Sequence, residues 1–86
     1  MERRKEPRCP AEGGVEIRLP EPVSRSIKGE LVDISNSGMR VRHGDLSLST
    51  GQRVRYSHAG GAGTALVMWT RVHEGTVESG LYTALA

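Results

Sequence analysis

The sequence has no phenylalanine, one tryptophan (Trp69) and two tyrosines, Tyr56 and Tyr82. Its core must therefore be filled by Val, Leu, Ile and Ala, and Trp69 serves either that core or a binding surface. Cys9 is the only cysteine. No internal disulfide is possible, and nothing points to an oxidising compartment. No apolar run is long enough for a signal-peptide core or a membrane span, so the chain is read as cytoplasmic. No stretch carries a useful helical stripe either.

Catalytic spacings are missing too. His43, His58 and His73 are scattered, and no HxxxH, CxxC or paired-carboxylate pattern is present. No histidine is placed by sequence to act as a base for Cys9. The run "GGAG" joins two strand-like segments and lacks the lysine of a phosphate loop. The chain is expected to be no enzyme and to hold no metal or cofactor.

What is present begins with charge. The net charge is +2, and its location is uneven. Arg3, Arg4, Lys5 and Arg8 outweigh Glu2 and Glu6 within "MERRKEPR", while the remaining charges cancel. The excess belongs to an N-terminal arm. Duplex DNA wants a broad basic face, so DNA is not expected as a partner; a small anionic ligand fits better. Apart from Lys5 and Lys28 the basic residues are all Arg, whose planar fork matches phosphates and base edges.

Eighty-six residues make one domain with a small core. Residues 1–12 read as an irregular, charged, Pro-punctuated arm, and residues 13–86 as a folded unit. In the latter, "VEIRLP" alternates Val15, Ile17 and Leu19 with Glu16 and Arg18. "IKGELVDIS" sets Leu31 on one face and Val32 and Ile34 on the other. "GMRVRH" and "RVRYS" alternate in the same way, "TALVMWTRV" is the most apolar segment, and "GTVESGLYTALA" closes the chain. These six period-two runs are separated by Gly, Pro, Asn, Ser and Asp. "GDLSLSTG" has room for one short turn, and "HAGGAGT" reads as a flexible hairpin loop. Six short strands predict a closed or nearly closed antiparallel barrel, because closure removes edges that a small domain cannot otherwise protect.

Two segments carry recognition chemistry. "DISNSG" contains Asp33, Ser35 and Gly38. By itself it is a turn, since Asp, Asn and Ser bond their own backbone and Gly supplies unusual φ. Its functional reading is a polar cup: a carboxylate accepts the paired N1–H and N2–H donors of guanine, and a serine hydroxyl donates or accepts beside it. The arm, "RRKEPR", sets Arg4 and Arg8 four apart with Arg3 directly before. As a charged terminus it is expected to be solvated; as a ligand grip its forks match phosphates and the O6/N7 edge of guanine.

Together, an RxxxR pair, about two dozen residues and then DxSxxG resemble the PilZ domain family. The rhythm of "KGELVDISNSGMRV" and the final "ALVMWTRV…SGLYTA" agree, so the resemblance spans essentially the whole chain. It implies an all-β fold, a six-stranded antiparallel barrel, that binds the bacterial second messenger cyclic di-GMP. On the matching positions, Arg4 and Arg8 contact guanine and phosphate, and Asp33, Ser35 and Gly38 form the barrel half of the site. Arg3 stands where the family sets ligand number, and an Arg there accompanies an intercalated cyclic di-GMP dimer. Trp69 lies on a strand that can approach the ligand, but the motif does not assign it; core and ligand contact both stay open. The arm is then expected to be mobile when free and to fold over the barrel around the nucleotide, signalling to a partner protein that the sequence does not name.

Two features depart from the family pattern. The chain ends shortly after Tyr82, so little or no C-terminal helix is expected. Lys5, Glu6 and Pro7 fill the RxxxR interior where an aromatic often sits. The alternatives are a barrel that docks on another protein without ligand, which would not need the arginines, and a small barrel for single-stranded nucleic acid, which would need aromatic faces.

Overall fold

The computed structural model describes residues 9–10, 12–20, 24–45 and 47–84. Seven strands follow one another: β1 (Cys9–Pro10), β2 (Gly14–Arg18), β3 (Ser26–Ile34), β4 (Gly38–His43), β5 (Arg53–His58), β6 (Gly61–His73) and β7 (Thr76–Tyr82). All pairings are antiparallel. β2 to β7 close into a six-stranded barrel in the spatial order β3, β2, β5, β6, β7, β4, with β4 returning to β3. The expected fold class is the observed one. No helix occurs among the described residues, and none is long and apolar enough to cross a membrane.

Alternation explains the interior. Val15 and Ile17 on β2, Met39 and Val41 on β4, and Val54 on β5 all point inward and are buried. Leu48, from the segment between β4 and β5, joins them, and Tyr56 packs against the cluster from its margin. Each fully buried aliphatic side chain contributes roughly 1.5–3 kcal/mol, so a core without a single ring still holds this small sheet closed.

Three details differ from the sequence reading. Cys9–Pro10, inside the segment read as irregular, pairs with Ile34 and Asp33 of β3. β3 outruns its partner β2, and β1 covers the edge left over. Second, "HAGGAGT" is no loose loop: His58 pairs with Gly61, so only Ala59 and Gly60 turn, and Gly61 has φ 153°. Third, Ile34 lies on the core side with Leu31, not opposite it. The register of β3 against β4 shifts between Leu31 and Asp33. Val32 is the extra residue of a bulge, and a bulge reverses which face the following residues take.

Candidate functional site

A second register shift lies on β6, between Val67 and Trp69. Strict alternation would point Trp69 inward with Ala65 and Val67. The extra residue, Met68, instead turns it outward, where it is half-buried. Trp69 is therefore not part of the core cluster. The bulge on β3 does the same for Asp33, which alternation would have stacked on Leu31 inside the barrel.

The two bulges lie at the two ends of one row across the outer wall. Asp33 pairs with Arg40, Arg40 with Gly80, and Gly80 with Trp69. The row crosses β3, β4, β7 and β6. Arg40 closes on Asp33 from the side: its Nε donates to Oδ2 at 2.7 Å, and its Nη2 lies 2.5 Å from the same oxygen. The hydrogen bond to Asp33 raises the Arg40 pKa further above its already high value; burial works against this, and the charges of Asp33 and Glu78 add to it. Asp33 is 6% exposed. A carboxylate so covered needs such a partner, because burying a charge without one is costly.

Gly80 makes the other half of the row possible. A Cβ there would collide with the Trp69 indole, so the ring rests on the glycine backbone. Arg71, two residues on along the same face, places its guanidinium 4.6 Å from the centre of the ring, within cation–π range. The next outward row, Glu30, Arg42, Glu78 and Arg71, alternates in sign, and Arg42 lies 3.7 Å from Glu78.

Beside Asp33 the chain turns. The Ser35 amide donates to the Gly38 carbonyl at 2.8 Å, and the Ser35 hydroxyl reaches the same oxygen at 3.4 Å. Asn36 and Ser37 form the tip, and the Ser37 carbonyl accepts from the amide of Thr83 at 2.7 Å. Gly38 is required by the sheet itself: a Cβ would strike the Leu81 carbonyl.

Of the residues singled out in the sequence, Asp33, Ser35 and Gly38 thus meet at one end of the β3–β4 hairpin, and Trp69 shares the Asp33 row. Arg3, Arg4 and Arg8 lie outside the described residues. Cys9, the residue after Arg8, is paired with Ile34, so the arm joins the barrel at this edge. Sequence reasoning passed over Arg40, Gly80 and Arg71. Arg40 was within reach, because a two-residue turn between Ser35 and Gly38 sets Asp33 opposite Arg40 by counting. Gly80 and Arg71 depend on the bulge at Met68. Among the described residues no three His, Cys, Asp or Glu side chains gather as a metal site.

A model of the PilZ domain matches residues 2–81. Among solved structures, the fold is similar to that of the Bacillus subtilis inhibitor of motility MotI/DgrA, with a TM-score of 0.79 and 21% identity. That match covers 99% of this chain and 44% of that one, so the chain spans less than half the length of that relative. It is also similar to the PilZ domain of YcgR from Escherichia coli, solved with cyclic di-GMP. There the TM-score is 0.73 and the identity 17%, over 96% of this chain and 79% of the other. A comparison with curated proteins gives no match.

Proposed function

The chain belongs to the PilZ domain family, and from that premise we propose that it is a receptor for cyclic di-GMP whose site joins the arm to the Asp33 row. One observation carries the proposal. Asp33, buried yet facing outward and held by an arginine, stands at the edge where β1 brings in the chain that bears Arg3, Arg4 and Arg8.

The chemistry follows from the groups. A carboxylate is the acceptor group that matches the paired N1–H and N2–H donors of a guanine, and Arg40 fixes the orientation of this one from the side. Ser35 supplies a hydroxyl at the rim. Trp69, capped by Arg71, offers a flat cationic surface to a purine. Arg4 and Arg8 grip phosphate and the O6/N7 edge with charge-assisted forks. Ligand contacts order the arm against the barrel, and that change of surface is the signal read by a partner protein. The role is binding rather than catalysis, with the nucleotide as ligand.

Calorimetric titration tests the site. Wild type is expected to bind cyclic di-GMP and to ignore a short oligonucleotide. Arg8→Ala is expected to lose about 2–4 kcal/mol of affinity, roughly 30- to 1000-fold, through two lost charge-assisted bonds. Wild-type affinity in that variant would remove the arm from the site.

A further inference from the structure

We infer that the wall formed by β2 and β5 is a docking surface for an extended acidic segment of a partner protein. In the ring of six strands, β5 is diametrically across from β4 and β2 across from β7. This wall thus faces away from the Asp33 row, shares no residue with it, and stands whether or not the nucleotide binds.

Three of its outward residues are arginines, against one acid, Glu16. Arg18 on β2 lies directly opposite Arg55 on β5, and Arg53 stands on the same face of β5 two residues away. All three are exposed. Arg18 has Glu16 at 3.7 Å; Arg53 and Arg55 make no ion pair among the described residues. Like charges directly opposite each other in a sheet destabilise it, and these side chains add nothing to the core. Beside the Arg18–Arg55 pair is a groove of about 250 Å³ with Ser57 and Ala62 in its lining, small residues that let a partner backbone come near.

The occupant follows from shape and charge. A closed barrel has no free edge, so a partner cannot add a strand and must dock through side chains. Arg53 and Arg55, alternate residues of one strand, stand about 6.6–6.8 Å apart, the spacing of alternate residues in an extended peptide. Carboxylates at every second position therefore meet successive guanidinium forks. Nucleic acid would require exposed rings for its bases, and the ring in the groove lining, Tyr56, is half-buried, packed against the core and stacked on His58. A membrane surface would find no exposed large apolar side chain on this wall to insert.

The test uses the whole chain and a fluorescein-labelled peptide of about five Glu-Ser repeats, read by anisotropy. A peptide of the same composition with its glutamates in one block, a thymidine oligonucleotide and phosphatidylglycerol vesicles serve as rival probes. The alternating peptide is expected to bind best and to weaken as salt rises. The double variant Arg53→Ser/Arg55→Ser is expected to lose about tenfold while keeping its circular dichroism and its response to cyclic di-GMP. No binding of the alternating peptide, equal binding by the double variant, or an arginine-dependent preference for oligonucleotide or vesicles would each overturn the assignment. A chain that failed to bind cyclic di-GMP would leave this result unaffected.

Discussion

Asp33 and His43 are both buried polar side chains on a sheet that has little interior to spare, and each survives there by having partners. Asp33 depends on Arg40. Arg40→Gln withdraws the cation from a covered carboxylate and is expected to cost about 1–3 kcal/mol, read as a lower urea midpoint with an unchanged slope. Asp33→Ala should blunt the preference for cyclic di-GMP over cyclic di-AMP, because guanine N1–H and N2–H lose their acceptor; an unchanged preference would leave Asp33 with only a structural task. His43 is neutral by geometry. Its Nδ1 accepts from the Asp45 amide at 3.1 Å, so Nε2 carries the proton and donates to Ser79 Oγ at 2.7 Å. Ser79 in turn bonds Thr70 at 2.6 Å. Burial lowers the His43 pKa below 6.5, with the Asp45 charge opposing in part. The unfolded chain then binds a proton at a pH where the folded one does not. Stability is full above about pH 6.5 and falls as pH drops towards the folded value. Asp45, held below its ordinary value chiefly by the Ser47 hydroxyl, adds a loss of the same sign at more acidic pH. Thermal melts between about pH 8 and 5 should show the slope, and His43→Gln should flatten it at a cost of about 1–2 kcal/mol. A slope equal to wild type in that variant would place the titration elsewhere.

Strands β3 and β6 each carry one residue too many for their partners, and the outward row depends on both. The bulges re-aim Asp33 and Trp69 without disturbing Leu31 or Val67, which remain in the core. Gly80 is the complement of this device on β7. Gly80→Ala puts a methyl where the indole rests, and the ring must lift. Because Trp69 is the only tryptophan, its emission reports the change directly: a red shift is expected, with a loss of about 1–3 kcal/mol typical of overpacking. Emission identical to wild type would mean that the ring is held by something other than the glycine. Gly38 answers to a different constraint, since there the obstacle is the Leu81 backbone and no side chain can move aside.

The barrel as a whole has opposite walls with different charge arrangements. On the wall of β4 and β7, Arg40 and Arg42 are paired with Asp33 and Glu78, so added phosphates are expected to be met chiefly from the arm. Two intercalated cyclic di-GMP molecules bring four phosphate charges, and Arg3, Arg4, Lys5 and Arg8 match them in number. Arg3 also offers a planar face to an exposed guanine. Two ligands per chain are expected at saturation, falling to one with a shallower salt dependence in Arg3→Leu. A calorimetric ratio of one in wild type would refute the pairing of ligands while leaving the site in place.

Period-two runs and their breakers were enough to read six strands and a closed barrel, since alternation is a local consequence of the pleat and closure follows from unprotected edges. RxxxR and DxSxxG were enough to point to the family, because both motifs are contiguous in the chain. The row that joins Asp33 to Trp69 was not legible. It depends on which residue of β3 and of β6 is left unpaired, and a single unpaired residue reverses the inside and outside of everything beyond it. Leu31 and Val67 would have drawn Asp33 and Trp69 inward by alternation alone. Only the pairing of four strands around a closed barrel decided that both turn out, with Arg40 and Gly80 between them.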